Sequence, residues 1–517
     1  MSVWKVKICE EFSVLRDMLC INAVTIRYGS LMSPLDDFAR SLERPDLASW
    51  LRDGLIGDGV EIDGPYGPKP LIYADYVASG RALAQVEDFI RDRVLPYYAN
   101  SHTQASYCGA FITKLREAAR AEIARITGAD DDMSVVFTGS GSTAGINRLV
   151  GLLDIPSVLA TGGRAVVLIG PYEHHSNLLP WRESGAEVVE IPEAPQGGPD
   201  MAALTAALRK AHGAELIVGS FSAVSNVTGI LTDTDAVTRL LKAHGALAFW
   251  DFGAGGPYVR MNMEAGRDAE KDAIVFSTHK FPGGPGGSGV LVLRDAVARR
   301  ATPTLPGGGT VSFVSPWGHR YSGSLSSREE GGTPNVVGDI RAALALMVKE
   351  ALGQDWLDQR QAWLRARAEA VWRKNPHLEL LGLEGPAALP IFSFRIRDAQ
   401  GGLIHHQFFT RLLSDVYGIQ ARGGCACAGS YAHRLLGLDE AESEAMFAAI
   451  DRGEEMAKPG WVRLNFSALM SDDKAAMIVE AVDILARKAS EYLPQYRADE
   501  TTARFAPVLE TPESLAS

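Results

Sequence analysis

The chain has 517 residues, 46% hydrophobic and 22% charged, with 52 glycines and 26 prolines. That profile is globular, too apolar for disorder and free of collagen-like or coiled-coil bias; at roughly 150 residues per domain it allows two to four domains. Its 51 basic and 63 acidic side chains leave a net charge of −12, which disfavours a nucleic-acid binder that works by neutralising phosphates. No apolar run approaches the ~18 residues of a membrane span, and Glu10, Glu11, Arg16 and Asp17 interrupt the start where a leader would be apolar, so no membrane partner is expected. Five scattered cysteines (Cys9, Cys20, Cys108, Cys425, Cys427) do not make a disulfide framework, and the expected setting is the reducing cytoplasm.

Residues 1–65 read as an N-terminal extension, with an amphipathic stretch around 35–55 and a Gly/Asp-rich turn, GDGVEIDGPYG. From Tyr73 onward short apolar runs alternate with helical patterns. Val135–Thr138, Ala165–Ile169, Leu216–Ser220, Leu247–Trp250, Ala273–Ser277 and Val290–Leu293 are β-branched runs bounded by turns and predict buried strands. Between them, Ile112–Ile126 places Leu115, Ala119, Ile123 and Ile126 on one helical face, with Gly128 as its stop. Such alternation predicts an α/β fold with a mostly parallel, doubly wound sheet over residues 66–345. Residues 339–374 read as one or two long helices leading into a smaller C-terminal α+β domain, 346–497, with a strand at Ile391–Ile396 and helices at Gln407–Tyr417 and Asp472–Leu493. A polar tail, 498–517, is expected to be disordered.

In open parallel sheets ligands sit beyond the carboxyl ends of the strands, and the chemically useful residues fall there. VVFT runs into Gly139-Ser140-Gly141-Ser142-Thr143 and then a helical pattern, a setting whose free N–H groups suit a phosphate. The following strands deliver His174 and His175, then Asn226, then Asp251, then Thr278-His279-Lys280. Singly, each has an ordinary reading: the aspartate as a helix cap, the histidines as a packed pair, the lysine as a solvated charge. Their convergence is the signal. A carboxylate, a phosphate cradle, a flat ring and an amine nucleophile together meet the needs of pyridoxal 5′-phosphate. Cys425 and Cys427 would make half a metal site, but no second Cys/His pair at ligand spacing accompanies them, and no metal is expected.

At EHHSNLLPW, SNVTG, FSTHKFPGGPGGSG, REEGGTPN and ARGGCACAG the chain resembles the class V branch of fold-type I pyridoxal-phosphate enzymes, and most closely the SufS-like cysteine desulfurases and selenocysteine lyases. The resemblance runs from about Tyr73 to Leu485. It implies that Lys280 is the Schiff-base lysine, Asp251 the partner of the pyridinium nitrogen, and His174 the ring that stacks on the cofactor. It further implies Asn226 beside the phenolic oxygen and Ser142, Thr143, Ser277 and His279 as phosphate ligands. Thr333 would reach the phosphate of a neighbouring subunit, implying a homodimer with shared active sites. Asn100 and His102 would lie near the substrate, and Arg463 would grip its carboxylate, a task suited to a guanidinium fork.

Cys427 follows Arg422 by five residues, the spacing of the persulfide-forming cysteine in SufS-like enzymes. The Cys-x-Cys pair also resembles the desulfurase domain of molybdenum cofactor sulfurases, whose second cysteine is the reactive one. A shift in loop register would hand the role to Cys425. A thiol needs neighbouring positive charge to act as a thiolate at neutral pH, and Arg422 is a candidate supplier. Two departures stand out. DFGAG places Ala254 where the family has a glutamine, and RGGCACA lacks the family's histidines in this segment.

The expected function is therefore desulfuration of L-cysteine or a related amino acid through a Cys427 persulfide, giving alanine, with Lys280, Cys427 and His174 catalytic and a sulfur-acceptor protein as partner. The competing readings are another class V reaction on the same cofactor (aminotransfer, C–S or β-elimination, epimerisation) and a non-catalytic binding protein of the same fold.

Overall fold

The computed structural model describes residues 34–101 and 104–508. Seven strands form the central sheet: β1 (Met133–Gly139), β2 (Ala165–Ile169), β3 (Glu187–Glu190), β4 (Leu216–Ser222), β5 (Leu247–Asp251), β6 (Ala273–Ser277) and β7 (Gly289–Arg294). Their order across the sheet is β1-β7-β6-β5-β4-β2-β3. Strands β3, β2, β4, β5 and β6 are mutually parallel, and β7 alone runs against its neighbours β6 and β1. Every residue of β2 and β6 is buried because helices cover both faces.

The two-residue period sorts these side chains. Val166, Leu168, Trp250, Ile274 and Phe276 face one core with the helix Val336–Leu352. Val167, Ile169, Phe249, Val275 and Leu291 face the other with the helix Gly141–Leu153. Strand β3 escaped the sequence reading because it is a four-residue edge strand whose two ends are exposed glutamates.

The second unit is an antiparallel sheet of β8 (Leu378–Leu380), β9 (Ile391–Arg397), β10 (Arg422–Gly424) and β11 (Trp461–Asn465) in the order β8-β9-β11-β10. Helices Gln354–Trp372, His406–Tyr417 and Asp472–Tyr492 accompany it. The long segment after 335 is two helices rather than one, because Gly353 adopts φ +79°, a backbone state that ends the first and opens the second.

The structure departs from the expected domain limits at three places. Helices Pro34–Leu42 and Leu47–Asp53 bury Leu35, Phe38, Leu42, Leu47 and Leu51 in the core of the large unit, so this part of the 1–65 segment belongs to that unit. Residues 72–76 belong to the small unit instead: Ile72, Ala74 and Tyr76 lie in its core, and Ile72–Tyr73 pairs in parallel with Ile419–Gln420. Part of the expected disordered tail is ordered, as Tyr496–Asp499 and Arg504–Pro507 form an antiparallel hairpin against the helix His406–Tyr417. None of the helices among the described residues is long and apolar enough to cross a membrane.

Candidate active site

The carboxyl ends of β1, β2, β4, β5 and β6 open into a cavity of about 230 Å³. Ser142, Thr143, His174, Asn226, Asp251, Ser277, His279 and Lys280 line it from the large unit, and Arg422, Cys427 and Arg463 line it from the small unit.

After β1 the chain turns through Gly139 and Ser140 into the helix Gly141–Leu153. Gly141 has φ +63°, and a Cβ there would lie 2.5 Å from the Ser277 hydroxyl, so only glycine allows this approach. The Ser142 N–H donates to Ser277 Oγ (2.9 Å), the two hydroxyl oxygens are 3.2 Å apart, and Thr143 Oγ1 is 2.6 Å from Ser176 Oγ. Hydroxyls thus gather around a helix N-terminus, where the dipole favours an anion. His279 also lines this wall, its imidazole held toward the neutral form by burial and by the charge of Lys280.

Beyond β2, Glu173 is buried under the cavity floor. It accepts from Gly170 N–H (3.2 Å), Ser222 N–H (2.8 Å), Ser222 Oγ (2.7 Å) and Asn177 Nδ2 (2.5 Å); burial, with a lesser push from the Asp251 charge, raises it to about 7 against the bonds from Ser222 and Asn177. His174 Nδ1 accepts from the Ser176 N–H (3.1 Å). Burial, then the Lys280 charge, lowers His174 to about 3, so it presents a flat neutral ring to the cavity. Asn226, after β4, donates from Nδ2 to Ala426 O (2.8 Å) while its buried Oδ1 has no partner in the protein.

Asp251 closes β5 and accepts from Gly253 N–H (2.7 Å); burial raises its pKa, opposed by that bond and by Lys280. A Cβ on Gly253 would meet Asp251 Oδ1 at 2.8 Å and Ser142 Oγ at 3.0 Å, so the space beside the carboxylate is kept clear of side chains. Lys280 sits on a tight turn after β6, anchored by Thr278 Oγ1 donating to Ser288 O (2.6 Å). Burial lowers its amine to about 8, with Asp251 opposing.

The small unit closes the cavity with two arginines paired across β10 and β11. Arg463 is buried and Arg422 half-exposed; one carboxylate, Asp75, holds both. The next loop is left-handed at Gly424 (φ +120°), Ala426 (+55°) and Cys427 (+56°). It is held by the His175 N–H donating to Cys427 O (2.9 Å) and by Gly429 N–H donating to His175 Nε2 (3.1 Å). Cys427 is exposed at the cavity wall, whereas Cys425 is half-buried against the cluster that contains Tyr172, Tyr431 and Trp461.

Three expected residues are not brought to this cavity. Thr333 is exposed in the turn before the helix Val336–Leu352, Asn100 is exposed and absent from the lining, and His102 lies outside the described residues, as do Cys9 and Cys20. Sequence reasoning missed Asp75, Glu173 and Ser176. Asp75 carries no local signal, because its arginines stand 347 and 388 residues away. Glu173 and Ser176 lie inside the quoted EHHSN motif, and an acidic residue directly before the histidine pair was the available hint. No cluster of three or more metal-ligating side chains occurs among the described residues.

The donor set fits an aromatic phosphate ester that carries a carbonyl. It offers hydroxyls and a helix N-terminus for the ester, a neutral ring for the face, a buried carboxylate, an orphaned amide oxygen, and an amine of lowered pKa.

Relatives agree with that chemistry. A protein of Vibrio cholerae named "Probable cysteine desulfurase" is 28% identical over 424 residues, 80% of this chain and 95% of its own length. Among solved structures, a cysteine desulfurase from Thermococcus onnurineus superposes with TM-score 0.66 at 23% identity, over 80% of this chain and 94% of that one. The cysteine desulfurase CsdA from Escherichia coli gives TM-score 0.65 at 23% identity, over 84% and 98%. These likenesses establish the fold-type I α/β architecture. The family model for aminotransferase class-V matches residues 72–453, and on that match the chain belongs to the class-V aminotransferase family, whose enzymes depend on pyridoxal 5′-phosphate.

Proposed function

We propose that this enzyme is a cysteine desulfurase that removes the sulfur of L-cysteine, or of a closely related amino acid, as a persulfide on Cys427 and releases alanine. The observation that carries this reading is a thiol on the wall of the same cavity as a lysine amine lowered to about 8, in a lining that also holds two guanidiniums. Ser142, Thr143, Ser277 and His279 would hold the cofactor's phosphate, Asp251 its ring nitrogen, His174 one face, Asn226 its ring oxygen and Lys280 its carbonyl carbon. Bound there, the cofactor supplies an electron sink for the bonds at the substrate's Cα.

The chain's own groups do the rest. Arg463 grips the substrate carboxylate, and its burial strengthens that grip. Lys280, once its amine is free, takes the Cα proton; a base near pH 8 is well matched to the task. Cys427 attacks the substrate sulfur as a thiolate. A sulfur–sulfur bond forms and the substrate's carbon–sulfur bond breaks with its electron pair left on Cβ; a proton delivered to Cβ and the return of the Cα proton from Lys280 complete alanine. The enzyme keeps the sulfur as Cys427–S–SH until a thiol acceptor removes it. Exposure of Cys427 and half-burial of Cys425 against an aromatic cluster support the choice of Cys427.

A second copy of the chain would complete the site through Thr333. In support, Thr333 stands exposed beside Gly332, whose N–H donates to Gly308 O (2.8 Å) at the base of the hairpin Val311–Tyr321. That hairpin exposes Phe313 (63%), Val314 (62%) and Trp317 (93%), an apolar edge suited to burial between subunits. One observation favours a second reading, another class V reaction on a different amino acid: Ala254 lines the cavity where the family resemblance calls for a glutamine.

Incubation of the holoenzyme with L-cysteine should give alanine and, with a reducing thiol, sulfide in equal amounts. Cys427→Ser should keep the cofactor absorbance and lose sulfur release. Unchanged release by that variant, or turnover of another amino acid without it, would replace this reading by the second one.

A further inference from the structure

The small unit brings two like charges face to face. Arg422 and Arg463 are direct partners across β10 and β11, an arrangement that destabilises a sheet unless something lies between the charges. The segment after Ile72–Tyr73 supplies it. Ala74 N–H donates to Gln420 O (3.0 Å), two residues before Arg422, and Asn465 N–H donates to Ala74 O (2.8 Å), so the backbone beside Asp75 is stitched to β11 and to the short strand Ile419–Gln420 that leads into β10. One Asp75 oxygen accepts from Arg463 Nη2 (2.8 Å), the other from Arg422 Nε (2.9 Å). Asp75 is itself buried.

We infer that Asp75 is a positioning residue of this active site, a carboxylate bridge that aims both guanidiniums at the cavity and sets the net positive charge they present to Lys280. The inference rests on the cofactor-enzyme reading given above and adds a residue that reading does not use. Two orphan atoms support it. The buried Nε of Arg463 has no partner, while Nη1 donates to Asn226 O (3.2 Å) and Nη2 to Asp75. Asn226 Oδ1 is likewise unpartnered. With Asp75 occupying one side of Arg463, a donor and an acceptor are left over on two neighbouring residues of the lining.

The charges that face Lys280 are Asp251 from β5, Asp75 from the segment before the small sheet, and Arg463 and Arg422 from β11 and β10; His174 and His279 stand beside it as neutral rings. Cys427 faces Arg463 from the left-handed loop. Asp251 and Asp75 favour the charged amine and the two arginines oppose it. Removing the Asp75 charge therefore moves proton release at Lys280 to lower pH, and removing the Arg422 charge moves it to higher pH.

The test is a spectrophotometric pH titration of the purified protein loaded with pyridoxal 5′-phosphate, with steady-state kinetics on L-cysteine alongside. Asp75→Asn should lower the absorbance midpoint by ~0.5 pH unit or more. It should also raise KM roughly 10-fold, with a smaller loss in kcat, because the carboxylate grip is misaimed. Asp75→Glu should restore the midpoint. Arg422→Gln should raise it, and this arm decides the matter if Asp75→Asn does not fold. A coloured wild-type protein whose midpoint is the same in Asp75→Asn, or does not rise in Arg422→Gln, overturns the inference alone. A wild-type protein that takes up no cofactor overturns the parent reading and the inference together.

Discussion

Near Lys280 lies a second buried amine. Lys349, on the helix Val336–Leu352, is 7% exposed; its Nζ donates to Val259 O and sits 5.9 Å from the centre of the Phe281 ring, the residue after Lys280. Burial lowers it from 10.5 to about 7, opposed by Asp358 and reinforced by Arg260. In the unfolded chain the amine regains an ordinary pKa, so between pH 7 and 10.5 the unfolded state binds more protons and stability rises with pH. At 1.36 kcal/mol per unit, two-state linkage gives a cost of ~4.5 kcal/mol at pH 6.5 and ~1.5 kcal/mol at pH 9.5. Lys349→Met removes that titration and sacrifices the bond to Val259 O, a pH-independent loss of ~1–2 kcal/mol. The variant should therefore gain ~3 kcal/mol relative to wild type on going from pH 9.5 to pH 6.5. Urea unfolding of both proteins at the two pH values reads this difference directly, since titrations common to both cancel. A difference that stays constant within ~1 kcal/mol would refute the reasoning and mean that the amine is solvated in the folded state.

Gly141→Ala should weaken cofactor binding at least ~10-fold, because it strains a left-handed residue and drives a methyl into the Ser277 hydroxyl; equilibrium dialysis of the cofactor measures it. Cys425→Ser should retain sulfur release within about a factor of three, since Cys425 packs against an aromatic cluster rather than lining the cavity; sulfide assay of that variant beside Cys427→Ser checks the assignment. The rate of Cα proton removal should rise with pH through about 8 and level off above it, because Lys280 must be neutral to accept the proton. Exchange of the substrate's Cα hydrogen in deuterated water, followed against pH, would show this limb.

The large unit was legible because its inner strands are buried along most or all of their length. Runs such as AVVLI and AIVFS have no other place to go, and a parallel sheet delivers whatever follows them to one edge. The edge strand EVVE was not legible, because edge position removes the apolar excess that marks its neighbours. The small unit's contribution was visible only through the quoted motifs: Arg422 and Cys427 lie on a three-residue strand and a loop that no periodicity announces. Domain limits were displaced for a related reason. An amphipathic helix such as PLDDFARSL declares that Leu35, Phe38 and Leu42 will be covered, and says nothing of what covers them. Asp75 was the hardest case, since its importance is a three-body fact involving residues from distant parts of the chain.

The early strand Ile72–Tyr73 finds its ladder partner only at Ile419–Gln420. A ribosome adding roughly 5–20 residues per second needs roughly 20–70 s to make the intervening stretch. Throughout that interval the nascent chain carries an unpaired edge and an aspartate without its two arginines, while the large sheet receives its last strand at Arg294, well before the interval ends. Translation thus finishes the lysine's half of the pocket long before the thiol's half. Ribosome pausing or loss of the carboxyl-terminal third would leave a chain able to hold an aldehyde and unable to discriminate what reaches it, with a sticky β-edge exposed to the cell.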